Sequence, residues 1–434
     1  MSRIITAAMP AHGHTAPLLA ITADLVARGH QVAFLGGARF AAAAEKTGAR
    51  FVALPAEADF DDRRINDYFP GRAELPPGPQ RLAFDARHIF IDPVPAQYRA
   101  LRALLAEFPA TAVLGDCFFH GAVALALAHP RGERPAVVGI GVAPPMLQSV
   151  DTAPFGLALP PQAGPEGRAR NRELNAEAAQ RGEPLRQYAA EVFAGVGAEL
   201  PPGPRANAAV TGPDHYLQLT VPGFEYPRSD APASLRYIGA LPLQSRDEAE
   251  LPLWWPELTA GRSVAVVTQG TLANDDPTEL LVPAVRALAD HPDLLVVAAT
   301  ARPDGPELLA EALGGGLPDN VRAAGYLPFD RLLPHADLLI SNGGYGGVHT
   351  ALAFGVPLVV AGGSEDKPEV AARVAWRGVG VDLRTGRPGE PELREAVDRV
   401  LADPSYRTNA AELAAELAAH QPLTAIAELV DSLG

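Results

Sequence analysis

Short apolar runs alternate with longer segments of helical periodicity along both halves of the chain. In the first half the apolar runs are RIITAA, QVAFLG, RFVALP, TAVLG and PAVVGIG. In the second half they are SVAVVTQG, LLVVAAT, VRAAGY, DLLIS, PLVVAG and VGVDL. Alternation of this kind is typical of parallel sheets covered by helices on both faces. The sequence therefore predicts an α/β chain built from two Rossmann-like, doubly wound units.

The length of the chain agrees with two units. At 434 residues it is too long for one ordinary core, and two domains of about 200 residues each are expected. We predict an N-terminal domain over 1–222, a proline-rich linker over 223–262 and a C-terminal domain over 263–404. The last segment, 405–434, has a helical pattern and no strand after it, so it can pack on either domain.

Two further proline-rich zones with weak patterns, 55–97 and 143–213, lie inside the first half. Both zones are too long for simple connections between elements. We expect them to form binding loops and short helices.

Composition narrows the class of protein. A hydrophobic content of 47% with 20% charged residues is that of a globular chain. The net charge of -15 disfavours nucleic acid and anionic membranes as partners. No apolar run approaches the roughly 20 residues of a membrane span. The single cysteine, Cys117, leaves neither a disulfide framework nor a Cys-based zinc site, so we expect a cytoplasmic protein.

A glycine-rich turn, SNGGYGGVHTALAFGVP over 341–357, follows the apolar run ADLLI. Glycine lets another group approach the backbone closely, and the start of the following helix offers free N–H groups that suit a phosphate. A tight strand-to-helix turn without a ligand explains the stretch equally well when it is taken alone. Its spacing matches neither G-x-G-x-x-G nor a P-loop.

A second polar turn, QGT over 269–271, follows the apolar run SVAVV. The carboxyl ends of parallel strands meet at one edge of a sheet, where open α/β folds bind their ligands. Two domains that face each other would place both turns at a cleft between the sheets.

Several segments together resemble one known family. They are PAHGHTAPLLAITADLVARGH, VVTQGT, GYLPFDRLLPHADLLISNGGYGGVHTALAFGVPLVV and EDKPEVAARVAWRGVGVDL. Their order and spacing are similar to those of family 1-type glycosyltransferases, which transfer sugars from UDP- or dTDP-sugars to natural products. The resemblance covers nearly the whole chain and implies the two-domain fold called GT-B. It also implies a nucleotide-sugar donor, a lipophilic small-molecule acceptor and no further cofactor.

The resemblance implies a role for each matching position. His14 corresponds to the general base that takes the proton of the acceptor hydroxyl, and Asp116 to the carboxylate that holds this histidine. Tyr326 corresponds to the aromatic residue that stacks on the nucleotide base, and Asp366 to an acidic residue that binds sugar hydroxyls. The implied donor-binding set is Gly270, Thr271, Tyr326, Leu327, Asn342, Gly343, Gly344, Gly346, Gly347, Asp366 and Lys367.

The chemistry of sugar transfer accounts for these residue types. A histidine with a pKa near about 6.5 can deprotonate a hydroxyl, and a carboxylate partner stabilises the imidazolium that forms. Backbone N–H groups at a helix start can stabilise the departing diphosphate without a metal. Neither paired aspartates with metal-ligand spacing nor a Cys/His cluster occurs in these segments. The sequence therefore predicts a metal-independent transfer with inversion of the anomeric centre.

Four positions differ from the commonest family pattern. Asn342 replaces a histidine that contacts the phosphate, and Thr350 replaces a glutamate on the ribose. Lys367 and Phe329 each replace a glutamine. The absence of a protein carboxylate that binds the ribose weakly favours a dTDP-sugar as donor. Both UDP- and dTDP-sugars stay open.

Aromatic and apolar side chains of the N-terminal loops are candidates for a lipophilic acceptor pocket, although each suits the core as well. They are Phe60, Tyr68, Phe84, Phe118, Phe119, Met146 and Phe155. Two other functions fit the same fold: a nucleotide-sugar epimerase and a non-catalytic helper protein. The pair His14 and Asp116 favours transfer, although either residue alone could merely cap a helix. The sequence leaves the oligomeric state open.

Overall fold

Parallel strands form two separate sheets in the computed structural model, which describes residues 1–76, 78–243, 250–270 and 276–434. The strands of the first sheet are β1 (Arg3–Ala7), β2 (Gln31–Gly36), β3 (Arg50–Ala53), β4 (Ala112–Asp116), β5 (Ala136–Gly141), β6 (His215–Gln218) and β7 (Leu235–Tyr237). Those of the second are β8 (Ser263–Thr268), β9 (Leu294–Ala299), β10 (Val321–Ala324), β11 (Leu338–Ser341), β12 (Leu358–Val360) and β13 (Gly380–Asp382). The strand orders are β3-β2-β1-β4-β5-β6-β7 and β10-β9-β8-β11-β12-β13.

Helices connect the strands and cover both faces of each sheet. In the first half the α-helices are α1 (His12–Ala27), α2 (Ala41–Lys46), α3 (Ile65–Tyr68), α4 (Pro79–Asp85), α5 (Val94–Glu107), α6 (His120–Ala128), α7 (Gly164–Ala194) and α8 (Asn207–Thr211). In the second half they are α9 (Leu281–Leu288), α10 (Gly305–Ala312), α11 (Phe329–Leu332), α12 (Tyr345–Ala353), α13 (Lys367–Trp376), α14 (Glu390–Ala402), α15 (Pro404–Ala418) and α16 (Pro422–Ser432). Within the four described ranges, no helix combines the length and the apolarity needed to cross a membrane.

Alternate residues of one strand enter two different cores. Val264 and Val266 of β8 pack into the cluster on one face of the second sheet, and Ala265 and Val267 pack into the cluster on the other face. A strand that is buried on both faces needs a continuous apolar run, which is the pattern seen in the sequence. The prediction of two doubly wound units is confirmed, and each of the eleven quoted runs contains a strand.

Two strands of the first sheet have no apolar run in the sequence. β6 reads HYLQ and β7 reads LRY, and the two strands pair in parallel at the edge of the sheet. β7 lies inside the segment 223–262 that we expected to be a linker. The predicted limits of the domains themselves stay a prediction.

A long helix, α7, occupies 31 residues of the zone 143–213, where we expected binding loops and short helices. That expectation was wrong because this helix of 31 residues carries almost no apolar stripe. It contains Pro184 and buries few side chains, Ala189 and Phe193 among them. A helix that is exposed on most sides shows no helical periodicity of apolar residues.

The C-terminal segment contacts both domains. Leu413 and Leu417 of α15 pack into a core cluster of the second domain. Ile426 and Val430 of α16 pack into a core cluster of the first domain. The chain therefore crosses from one domain to the other after residue 418.

Both sheets reverse their strand order at the centre, between β1 and β4 in the first sheet and between β8 and β11 in the second. The loops that follow these strands lie side by side at the carboxyl edge of each sheet. Such reversal points are where open α/β folds bind ligands. Predicted functional residues lie in the loops after β4, β8 and β11, and His14 lies in the first turn of α1, just beyond the loop after β1.

Candidate active site

A histidine and an aspartate meet at the reversal point of the first sheet. His14 lies in the first turn of α1, and Asp116 is the last residue of β4. His14 Nδ1 is 2.9 Å from Oδ1 of Asp116, whose side chain is fully buried. The backbone N–H of Met9 donates to Oδ2 of Asp116 at 2.6 Å, and that of Phe118 donates to Oδ1 at 2.9 Å. These donors satisfy the buried carboxylate and fix its orientation.

The contact with Asp116 sets the tautomer of His14. An ionised carboxylate only accepts hydrogen bonds, so Nδ1 of the histidine carries the hydrogen. Nε2 of the neutral ring is then the nitrogen that can take a proton. The ring of Phe118 stands edge-on to the imidazole at 5.0 Å and helps to hold it in place.

Charges from both domains act on His14. Burial lowers the pKa of His14, but neighbouring carboxylates, Asp116 foremost, raise it, and the net pKa lies above the ordinary 6.5. Asp366 and Glu365 add to the raised pKa, and both precede α13 in the second domain. His14 therefore faces the second domain across the cleft.

The start of α13 and the loop before it bring three charged residues to this cleft. Asp366 precedes the helix and is partly buried, and burial raises the pKa of its carboxyl. The Lys367 ammonium is largely buried and pairs with Glu365. Glu365 adopts a left-handed backbone conformation with φ 58°. Such a conformation is uncommon for a residue other than glycine and is found where a site imposes it.

The glycine turn after β11 contains one position that strongly favours glycine. Gly343 has φ 81°, and a Cβ atom there would lie 2.6 Å from Cγ1 of Val360. Gly346 and Gly347 are exposed in the first turn of α12, and a Cβ atom on either would meet nothing within 4 Å. The first N–H groups of a helix have no partner within the helix. The start of α12 is therefore open to a ligand.

The polar turns after β8 and β11 contact each other. The side-chain amide of Asn342 donates a hydrogen bond to the carbonyl of Gln269. Gly270 has φ 77° and lies beside the Asn342 amide. Thr271, the other residue predicted in the first turn, lies outside the described residues.

The other residues predicted to bind the nucleotide sugar differ in how much of their surface is exposed to solvent. Tyr326 follows β10 and leaves 57% of its surface exposed. Leu327 is partly buried and packs against a core cluster of the second domain. Gly344 precedes α12 and has an extended conformation.

The seven candidate acceptor residues do not form one group. Phe118 is close to His14, whereas Phe119 has no exposed surface and packs in the core beneath the sheet. Phe119 therefore does not line a pocket, because the core encloses its side chain. Phe60 is also buried, and its ring contacts Phe69 at 5.6 Å. Tyr68 and Phe155 are exposed, and Phe84 and Met146 are partly buried.

Sequence reasoning missed two residues near His14. Phe90, in a π-helical turn over Ala86–Ile91, places its ring 4.8 Å from that of Phe118. Glu365 acts on the pKa of His14 from the other domain. No local pattern reveals either residue, because their positions depend on contacts between distant segments.

His14 and Asp116 also belong to a group of three side chains that could bind a metal ion. The ligand atoms of His14, Asp116 and Cys117 lie within 4.8 Å of one another. Burial raises the pKa of the Cys117 thiol far above its ordinary value, so the thiol stays protonated and is a poor metal ligand. Both oxygens of Asp116 already accept hydrogen bonds. This arrangement suits proton transfer better than metal binding.

The sequence is similar to known proteins over its full length. Residues 306–433 match the family described as erythromycin biosynthesis protein CIII-like, C-terminal domain. The chain is 40% identical over 442 residues to UDP-glycosyltransferase 2 of Phaeomoniella chlamydospora, covering 99% of this chain and 95% of the relative. The chain belongs to the family 1-type natural-product glycosyltransferases.

Two further comparisons agree with this family. The glycosyltransferase is 41% identical over 436 residues to 4'-demethylrebeccamycin synthase of Lentzea aerocolonigenes, covering 100% of this chain and 99% of the relative. Its structure is similar to the crystal structure of the glycotransferase of kitacinnamycin, with a TM-score of 0.74 and 25% identity. That comparison covers 100% of this chain and 98% of the other. The predicted GT-B fold of this glycosyltransferase is confirmed.

Proposed function

We propose that this glycosyltransferase moves a sugar from a UDP- or dTDP-sugar to a hydroxyl of a lipophilic small molecule. The observation that carries the proposal is the His14–Asp116 pair, whose imidazole is close enough to Asp366 of the other domain for that carboxylate to raise its pKa. A base on one wall of the cleft and an open helix start on the other are what such a transfer needs. The names of the relatives, a UDP-glycosyltransferase and a rebeccamycin-type synthase, support the substrate classes.

The acceptor is activated by His14. As the acceptor oxygen attacks the anomeric carbon, its proton moves to Nε2 of the neutral imidazole. Asp116 keeps Nδ1–H in place and stabilises the imidazolium that forms. Phe118, edge-on to the imidazole, offers an apolar surface for the acceptor beside the base.

The leaving group is stabilised by backbone groups. As the new C–O bond forms, the bond from the anomeric carbon to the diphosphate oxygen breaks, and the nucleoside diphosphate leaves with the electron pair. The N–H groups at Gly346 and Gly347 suit this developing charge without a metal, and Gly270 lies in the turn that Asn342 contacts. Attack from the face opposite to the leaving group inverts the anomeric centre.

Donor recognition is assigned to the second domain. Tyr326 stacks on the nucleotide base, next to Leu327. Asp366 and Lys367 bind sugar hydroxyls, and Gly343 and Gly344 let the diphosphate approach the turn. Asn342 supports this turn through its bond to Gln269. The nucleotide sugar is a co-substrate, and the chemistry requires no other cofactor.

A donor and acceptor screen tests the proposal. The protein is incubated with UDP-glucose, dTDP-glucose and other nucleotide sugars, each with and without phenols and polyketide alcohols. We expect a glycosylated acceptor of inverted configuration and release of nucleoside diphosphate, both unchanged by EDTA. Rearrangement of the donor sugar without any acceptor would indicate an epimerase. Binding of nucleotide without turnover would indicate a non-catalytic protein.

Stabilisation of the fold by the free nucleotides identifies the donor base. A ligand that binds only the folded state raises the melting temperature, and at equal concentration the ligand with the lower Kd raises it more. A larger shift with dTDP than with UDP would assign a dTDP-sugar. The opposite order would assign a UDP-sugar.

A further inference from the structure

The carboxylate of Glu369 joins a loop of the first domain to a helix of the second. Oε1 of Glu369 accepts hydrogen bonds from the backbone N–H groups of Gly156 and Ala158, both at 2.8 Å. Oε2 accepts a hydrogen bond from Nη1 of Arg373 at 3.0 Å. Glu369 is buried, so these bonds are shielded from water. Charge-assisted bonds of this kind are stronger than neutral ones.

Arg373 is held between two carboxylates. Its Nε donates to Oε2 of Glu225 at 3.0 Å, and its guanidinium lies 4.2 Å from the centre of the Tyr226 ring. Arg228 lies 3.7 Å from Glu225. The cluster of Arg373, Arg228, Glu225 and Glu369 thus balances two positive against two negative charges. Of its two carboxylates, only Glu369 contacts the loop.

The anchored loop is an unusual piece of backbone. Gly156 and Ala158 both have left-handed conformations, with φ 98° and φ 52°. For alanine this conformation is strained, and the bond to Glu369 offsets the strain. Phe155, Leu157 and Leu159 leave 37%, 38% and 37% of their surfaces exposed. These three partly exposed apolar side chains, here called the strip, lie on a loop whose backbone is held from the other domain.

The strip lies close to the proposed sugar site. Glu369 follows Asp366 by three residues, which is about one turn of helix. Resting on the proposed function, we infer that Glu369 is a positioning residue that fixes this strip against α13. The strip then packs against the lipophilic acceptor beside the donor sugar. Glu369 thereby sets the position of acceptor contacts relative to the helix that binds the sugar.

Two matched variants, Glu369→Ala and Glu225→Ala, test this role. Each removes one carboxylate that pairs with Arg373 in the same charge cluster. Hydrogen exchange is measured without substrates on peptides covering 154–160. Glu369→Ala is expected to accelerate exchange at Gly156 and Ala158 by about tenfold, the size expected for a lost bond to a charged group. Glu225→Ala is expected to change these rates by less than about twofold.

Steady-state kinetics with a defined acceptor provide a second test of the role of Glu369. With 2-naphthol as acceptor and saturating donor, Glu369→Ala should raise KM for 2-naphthol by about tenfold, because the strip is no longer held in place. The Kd for nucleoside diphosphate should stay within about twofold of the wild-type value, since the nucleotide contacts lie elsewhere.

Unchanged exchange in Glu369→Ala, or equal acceleration in both variants, would overturn the assignment. Should Glu369→Ala not fold, Glu369→Asp keeps the charge beside Arg373 but has a shorter reach. It should still accelerate exchange at Gly156 and Ala158, and wild-type rates in it would contradict the proposal. A wild-type enzyme that transfers no sugar would overturn the proposed function, while the exchange rates would still decide the role of Glu369.

Discussion

Nδ1 of His14 lies 2.9 Å from Oδ1 of Asp116, although the two residues are 102 positions apart in the chain. The strands that precede them, β1 and β4, are neighbours at the reversal point of the first sheet. The fold therefore determines this contact, and Asp116 is fixed in turn by the N–H groups of Met9 and Phe118.

Replacement of Asp116 by asparagine should lower turnover while the fold is retained. An amide is similar in shape to the carboxylate but cannot stabilise an imidazolium as a negative charge does. We expect Asp116→Asn to reduce kcat by roughly 10²–10⁴-fold, the usual contribution of an acid-base group. The Kd for nucleoside diphosphate, measured by calorimetry, should be unchanged. Wild-type kcat in this variant would show that Asp116 only supports the loop.

The activity should rise with pH as His14 loses its proton. The base must be neutral, and the pKa of His14 lies above 6.5. The profile of kcat/KM, which reports the free enzyme, should therefore have an acidic limb with its midpoint above pH 6.5. In Asp116→Asn the burial of the imidazole remains and the attraction of the carboxylate is lost, so the midpoint should move to lower pH. A midpoint that is the same in both proteins would assign the limb to another group.

The same raised pKa affects stability in the opposite sense. A histidine that binds its proton more tightly in the folded state stabilises the fold below its unfolded pKa, and this contribution is lost as the pH rises through the folded pKa. The melting temperature of wild type relative to His14→Ala should therefore fall between about pH 6 and pH 8. A difference between the two proteins that does not change with pH would contradict the raised pKa.

Two glycines of the donor turn should respond differently to alanine. Gly343→Ala places a Cβ atom against Val360 in a left-handed conformation, and it should destabilise the fold by about 1–3 kcal/mol. Gly346→Ala meets nothing within 4 Å and lies in a helix, where alanine is favoured by up to about 1 kcal/mol.

The effect of Gly346→Ala on ligand binding then tests the diphosphate site. If the diphosphate approaches the backbone at Gly346, the added methyl group should raise the Kd for nucleoside diphosphate about tenfold without loss of melting temperature. Calorimetry and thermal unfolding of the same sample measure both quantities. Unchanged affinity in a stable Gly346→Ala protein would move the diphosphate away from this turn.

The fold could be predicted from the sequence because most strands are buried on both faces and are therefore continuously apolar. β6 and β7 escaped prediction because His215, Gln218 and Arg236 interrupt any such run. α7 escaped because a helix exposed on most sides has no apolar stripe. Local patterns of apolar residues in the sequence thus reveal the strands that are buried on both faces of a sheet.

The candidate site was only partly accessible from the sequence. His14 and Asp116 were named through their positions in a family pattern, and the geometry brings them together. The contact of Glu369 with Gly156 spans 213 positions and leaves no local signal. Phe119 was proposed for a pocket because aromatic residues in loops suit one, yet its burial depends on how α6 packs beneath the first sheet.

The turnover of His14→Ala tests the central claim most directly. Single-turnover transfer from the donor found in the screen should fall by roughly 10²–10⁴-fold in this variant, because no group remains to take the hydroxyl proton. The double variant with Asp116→Asn should lose little more, since the two residues act as one unit. Nucleotide binding by calorimetry should match the wild type and confirms that the variant is folded. Near-normal transfer to a hydroxyl acceptor by His14→Ala would contradict the assignment of His14 as the base.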